Sequence, residues 1–106
     1  MLHWRPTELQ AHLTRVDAPP LLLDVREPWE FELCHLPGAC SIPLGELATR
    51  LGELDPQRET VVICHRGGRS LRGAHLLEAS GFARVINLEG GVTAWAEEID
   101  PAMATY

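Results

Sequence analysis

Cys64-His65-Arg66-Gly67-Gly68-Arg69-Ser70 follows the apolar run Val61-Val62-Ile63 and precedes a stretch with helical spacing, Leu71 to Ser80. A short continuous apolar run of this kind reads as a strand buried on both faces, the mark of a parallel sheet. The cysteine therefore stands at the carboxyl end of a buried strand, on a glycine-containing loop that opens a helix. In that geometry successive main-chain N–H groups can turn into one concavity and meet the positive end of the helix dipole. A thiol placed there should lose its proton easily, and the thiolate is the nucleophilic form. A loop at a sheet edge is also expected to leave the sulfur partly wet. The pattern suits a nucleophilic cysteine and an anionic reactant.

Outward from this loop the chain alternates strand and helix. Thr7 and Gln10 have capping-box spacing, which predicts a helix over Glu8–Arg15 with Pro6 just outside it. Leu21–Val25 is a second buried strand. Pro28 can start a short helix to Leu33. Leu36-Pro37-Gly38-Ala39 is a turn, and Ser41–Leu44 is a short strand limited by Pro43. Glu46–Leu54 is expected to be one helix with Leu47, Leu51 and Leu54 on a stripe. Thr60–Ile63 is the central strand, and Leu71–Ser80 a helix stopped by Gly81. Arg84–Leu88 is a strand, and Val92–Ile99 a last helix after Gly90-Gly91. This order implies an α/β fold, a mostly parallel central sheet with helices on both faces. In such sheets ligands bind at the carboxyl ends of the strands, where both Asp24 and Cys64 fall.

The bulk composition narrows the class. With 106 residues and 45% hydrophobic content, one domain over 1–106 is expected. A net charge of −6 argues against nucleic acid as a partner. All nine basic residues are arginine, and Arg66, Arg69 and Arg72 cluster on or beside the cysteine loop. Positive charge gathered at one thiol of an acidic chain suggests an anionic substrate; the plainer reading is a solvated helix face. Three cysteines, Cys34, Cys40 and Cys64, argue against a disulfide framework. With no CxxC spacing, and no compact ligand spacing among Cys34, His35 and Cys40, no metal is expected. No stretch has the length of a signal peptide or membrane span, so the cytoplasm is the expected location, without membrane partners.

Four blocks together resemble the rhodanese family of sulfurtransferases in its single-domain form. They are Leu22-Leu23-Asp24-Val25-Arg26-Glu27, then His35-Leu36-Pro37-Gly38-Ala39 with Ser41-Ile42-Pro43. The cysteine loop itself and Gly90-Gly91-Val92-Thr93-Ala94-Trp95 complete the set, in the family's order. The resemblance implies a three-layer sandwich and a two-step reaction. Cys64 would take the outer sulfur of a small anionic donor such as thiosulfate and hold it as a persulfide. A thiol, cyanide or protein acceptor would then remove it, with no cofactor. One position departs from the family: Cys34 stands where a glycine commonly precedes the His-x-Pro-Gly block, so either the local backbone differs there or Cys34 bears left-handed strain.

The resemblance implies that main-chain N–H groups from His65 to Ser70 hold the persulfide, in the manner of an oxyanion hole. Gly67 and Gly68 would permit positive φ and the close approach of backbone to sulfur. Arg69 would brace the loop through a carboxylate in the Asp24 region or through loop carbonyls, and Arg66 would meet the donor at the rim. Asp24 and Arg26 would orient the loop and neighbouring turns. His65 is read as a variable loop residue rather than an acidifier of the thiol, and His35 as a turn residue rather than a dyad partner. Trp4, Trp29 and Trp95 are read as packing. Two other classes stay open: a phosphatase or arsenate reductase of the same fold, and a non-enzymatic interaction module. Four residues separate Cys64 from Arg69; the phosphatases use a loop longer by one, so the spacing favours sulfur over a phosphate ester. An intact cysteine speaks against a mere binding module.

Overall fold

A computed structural model describes all residues, Met1–Tyr106. The strands are β1 (Leu2–Trp4), β2 (Leu21–Asp24), β3 (Cys40–Ser41), β4 (Thr60–Ile63) and β5 (Val85–Leu88). The helices are α1 (Pro6–Arg15), α2 (Pro28–Leu33), α3 (Leu44–Leu47), α4 (Gly68–Ala79) and α5 (Gly91–Glu98), with a 3-10 turn at Leu51–Glu53. The five strands form one sheet in the order β1-β5-β4-β2-β3. Every pairing is parallel. The runs Thr60–Ile63 and Val85–Leu88 are buried at every residue, because the central strands are covered on both faces.

Alternation along the strands separates two apolar layers. Leu22, Val61, Ile63, Ile86 and Leu88 pack with Leu9 of α1 and Val92 and Trp95 of α5. Leu23, Val62 and Val85 pack on the opposite face with Leu47 of α3 and Ala74 and Leu77 of α4. The result is the three-layer arrangement, helices over both faces of the sheet. Register brings Asp24 of β2 opposite Ile63 of β4, and Val62 of β4 opposite Asn87 of β5. The carboxyl ends of the central strands, and the segments that follow them, thus meet at one edge.

Several expectations change in detail. The amino-terminal strand β1 was not evident, being three mostly exposed residues on the sheet's edge. Helix α1 begins at Pro6 rather than Glu8, because the Arg5 N–H donates to Glu8 Oε1 at 3.0 Å, two residues earlier than Thr7 and Gln10 suggested. The single helix expected over Glu46–Leu54 is instead α3 followed by the separate 3-10 turn. Cys34 is extended, with φ −164° and ψ 144°, a conformation that any residue adopts. Of the two alternatives it is the local backbone that differs: α2 ends without a left-handed residue, and the Cys34 N–H donates to the Glu30 carbonyl at 3.2 Å. No helix is long and apolar enough to cross a membrane.

Candidate active site

The cysteine loop is clamped at both ends. After β4 the chain turns through Cys64, His65 and Arg66 to Gly67, whose φ of 116° makes it the left-handed cap of α4. Helix α4 begins at Gly68, three residues earlier than its apolar spacing alone suggested, so Gly68, Arg69 and Ser70 form its first turn and Gly68, unlike Gly67, does not take the positive φ expected of it. On the other side, α5 presents its first N–H groups to the loop: Val92 donates to the Cys64 carbonyl at 2.9 Å and Thr93 to the His65 carbonyl at 3.1 Å. Gly91 lets the two backbones come this close. Its φ is 56°, and a Cβ added there would lie 2.3 Å from the Cys64 carbonyl oxygen.

Within this clamp the Cys64 side chain turns inward. The residue is 1% exposed, not partly wet as expected, because its side chain joins the apolar layer of Leu23, Val62 and Ala74. The Gly67 N–H donates to Sγ at 3.0 Å, and Sγ lies 3.3 Å from Ser70 Oγ. Of the N–H groups from His65 to Ser70, only that of Gly67 has a partner inside the protein, and that partner is the sulfur. The others remain available to an anion, beside the amino-terminal turn of α4.

Arg69 finds its carboxylate in Glu30 rather than Asp24. Its two terminal nitrogens donate to Glu30 Oε1 and Oε2 at 2.7 and 2.8 Å, a bidentate bond between the first turn of α4 and the buried face of α2. The Arg69 bond outweighs burial and, with help from Tyr106, holds the Glu30 carboxyl down at about 2. Arg69 is in turn raised, chiefly by Glu30, with a smaller coulombic contribution from Cys64. Asp24 is engaged by Arg26 instead: both residues are fully buried, with Nε–Oδ1 at 2.9 Å and Nη2–Oδ2 at 2.6 Å. Arg26 also donates to the carbonyls of Cys34 and Glu30 and to the Tyr106 hydroxyl. Burial pulls its pKa down, but the bonds to Asp24 and Tyr106 outweigh it and keep the guanidinium charged. Asp24 and Arg26 therefore set the α2 turn that carries Glu30, and through Glu30 they bear on Arg69.

The remaining residues divide between contact and distance. The His65 ring stacks on Tyr106 with centroids 4.0 Å apart, and its Nε2 lies 3.0 Å from the Tyr106 main-chain oxygen. Tyr106 donates its hydroxyl to Glu30 Oε2 at 2.7 Å. Arg66 is exposed and makes no ion pair; with Arg5, Thr93 and Glu97 it lines an open depression beside α5. His35 is exposed and bonded to the Phe31 carbonyl at 2.7 Å, so it serves the end of α2. Trp95 is core, but Trp29 is 61% exposed and stands edge-on to Tyr106. Sequence patterning missed Glu30 and Tyr106. It also passed over Asn87, although a polar residue inside the apolar strand Val85–Leu88 is a signal in itself.

Residues 5–98 match the Rhodanese-like domain family, and the chain belongs to it. A Bacillus subtilis relative described as a putative sulfur carrier protein, YrkF, is 43% identical over 89 residues, covering 82% of this chain and 48% of that protein. This chain thus spans about half the length of that relative. An Allochromatium vinosum sulfurtransferase is 36% identical over 84 residues, covering 79% of this chain and 78% of the relative. A crystal structure of a rhodanese-like domain protein from Staphylococcus aureus superposes with a TM-score of 0.85 at 27% identity, over 100% of this chain and 99% of that one.

Proposed function

We propose that this protein is a sulfurtransferase that carries sulfane sulfur on Cys64, from an anionic donor such as thiosulfate to a thiophilic acceptor. The observation that supports this most is the run of N–H groups along His65–Ser70 that lack a protein partner, Gly67 excepted, in the loop where the Gly67 N–H already bonds the sulfur. The naming of relatives as a sulfurtransferase and a sulfur carrier agrees with it.

In the first step the Cys64 thiolate attacks the outer sulfur of thiosulfate. The new Sγ–S bond forms as the S–S bond of the donor breaks, and sulfite leaves with the bonding pair. The terminal sulfur of the persulfide is anionic, and the free N–H groups stabilise it without reorganisation, since α5 and the Arg69–Glu30 bond already fix the loop. In the second step cyanide or a thiolate attacks that terminal sulfur. The Sγ–S bond breaks and Cys64 leaves as thiolate, giving thiocyanate or an acceptor persulfide. Arg66, exposed and without a counter-ion, is the group that would draw an anionic donor to the loop. Three free cysteines suit a reducing compartment such as the cytoplasm.

The test is mass spectrometry of the protein after thiosulfate treatment, followed by cyanide. One added sulfur on Cys64, removed by cyanide, is expected. A folded Cys64→Ser protein should take up none and show no thiosulfate:cyanide turnover. Turnover retained in that variant would overturn the proposal, and hydrolysis of a chromogenic phosphate ester in place of sulfur uptake would favour the phosphatase class.

A further inference from the structure

Asn87 is the one polar side chain of β5, 4% exposed, with its register partner Val62 on the next strand. It sits beneath the first turn of α4. Its Oδ1 is 2.6 Å from Ser70 Oγ, and Ser70 is itself fully buried. Ser70 Oγ is also 3.0 Å from the Gly67 carbonyl and 3.3 Å from Cys64 Sγ. A serine hydroxyl has a single proton, yet three acceptors surround this one: an amide oxygen, a carbonyl and, once Cys64 is ionised, a thiolate.

The two states of the sulfur place opposite demands on this hydroxyl. As a thiol, Cys64 donates to Ser70 Oγ and Ser70 donates onward to Asn87 Oδ1, the arrangement seen here. As a thiolate, Sγ can only accept, so the Ser70 proton is needed at sulfur and Ser70 Oγ needs a donor of its own. A half-turn of the Asn87 amide supplies one by exchanging Oδ1 for Nδ2. No protein group bonds Nδ2, and no buried polar side-chain atom lacks a partner, so Nδ2 meets solvent; the rotation turns Oδ1 to that solvent and, within the protein, breaks one hydrogen bond and makes one.

We propose that Asn87 is a positioning residue of the sulfur site: its amide turns with the ionisation of Cys64 and, through Ser70, favours the thiolate. The catalytic meaning of this rests on the sulfur-transfer reading; the hydrogen-bond relay does not. Loss of the amide is asymmetric in its effect. In the thiol state Ser70 can donate to the Gly67 carbonyl instead, so little is lost. In the thiolate state nothing else is placed to donate to Ser70 Oγ, and the chain of polarised bonds to sulfur is cut at its origin. The charged groups around the sulfur are Arg69 on α4, its partner Glu30 on α2 and, along the loop, His65 and Arg66; on β2, Asp24 is held by Arg26. None touches Asn87, so substituting it leaves them in place.

The experiment is the pH profile of iodoacetamide alkylation at Cys64. Trypsin cuts after Arg58 and Arg66, which releases Cys64 as the sole cysteine of its peptide, so the other thiols stay in place. Asn87→Leu keeps the size and removes the bonds. Its profile midpoint should rise by roughly half to one unit, the equivalent of one ordinary hydrogen bond. In a Ser70→Ala background the same substitution should add nothing, because its route to sulfur is gone. If Asn87→Leu fails to fold, Asn87→Ala is measured in the same two backgrounds. A folded variant with an unshifted profile overturns the proposal, as does an equal shift with and without Ser70. Because alkylation needs no sulfur donor, a shift in a protein inert toward thiosulfate would leave the relay standing and remove only the sulfur-transfer reading.

Discussion

Glu30→Gln tests the brace that holds Arg69. In the native protein the carboxylate accepts both Arg69 nitrogens, the Glu27 N–H at 3.0 Å and the Tyr106 hydroxyl. An amide offers one oxygen where the carboxylate offers two, and it presents a donor to a guanidinium. The carboxyl falls from an ordinary 4.5 to about 2 on folding. At about 1.4 kcal/mol per unit, this shift corresponds to at most about 3.5 kcal/mol. Arg69 is 36% exposed, so solvent screens the pair and a cost of about 1–2 kcal/mol is expected. For a domain of this size that lowers Tm by roughly 4–16 °C. The sign with pH is fixed. A carboxyl whose pKa is depressed by folding contributes its stability fully above pH 4.5, and that contribution is lost as pH falls toward 2. Urea unfolding of native and Glu30→Gln protein across pH should therefore show a constant gap near neutrality that closes in acid. Coincident curves at pH 7, or a gap undiminished at pH near 2, would refute this account of the brace.

Two further substitutions address the loop. Gly91→Ala places a methyl group against the Cys64 carbonyl at a left-handed residue, and should cost about 2 kcal/mol or more; thermal unfolding within about half a kcal/mol of native would show that the clamp yields without cost. Arg66→Ala should raise KM for thiosulfate with little effect on the acceptor. Its stability should stay within about 0.5 kcal/mol of native, as Arg66 is exposed and unpaired; an unchanged thiosulfate dependence would place Arg66 outside the donor's reach.

What could be read in advance followed from how each feature is encoded. The buried strands Leu21–Asp24, Thr60–Ile63 and Val85–Leu88 show themselves because burial on both faces demands unbroken apolar runs. The cysteine loop shows itself because a strand, a glycine pair and a helix occur in immediate succession. Features made by pairs distant in sequence were hidden. Glu30 sits in Pro-Trp-Glu-Phe-Glu-Leu and reads as one acid among several, and only the fold carries it 39 positions to Arg69. Asp24 was the more prominent carboxylate, but Arg26, two residues on, takes it first. The break after Leu47 was invisible to periodicity, since Leu47, Leu51 and Leu54 keep helical spacing across a segment that is not continuous helix.

Tyr106 gives the molecule a polarity useful to anyone joining it to something else. Its hydroxyl is tied to Arg26 and Glu30, and its main-chain oxygen faces His65, the neighbour of the nucleophile. Met1, bonded to Glu78, begins at the opposite end of the parallel strands. A domain tethered through residue 106 by a short flexible linker would meet the sulfur at an effective concentration of millimolar order. The same domain tethered ahead of Met1 would have to span the sheet before it could take part.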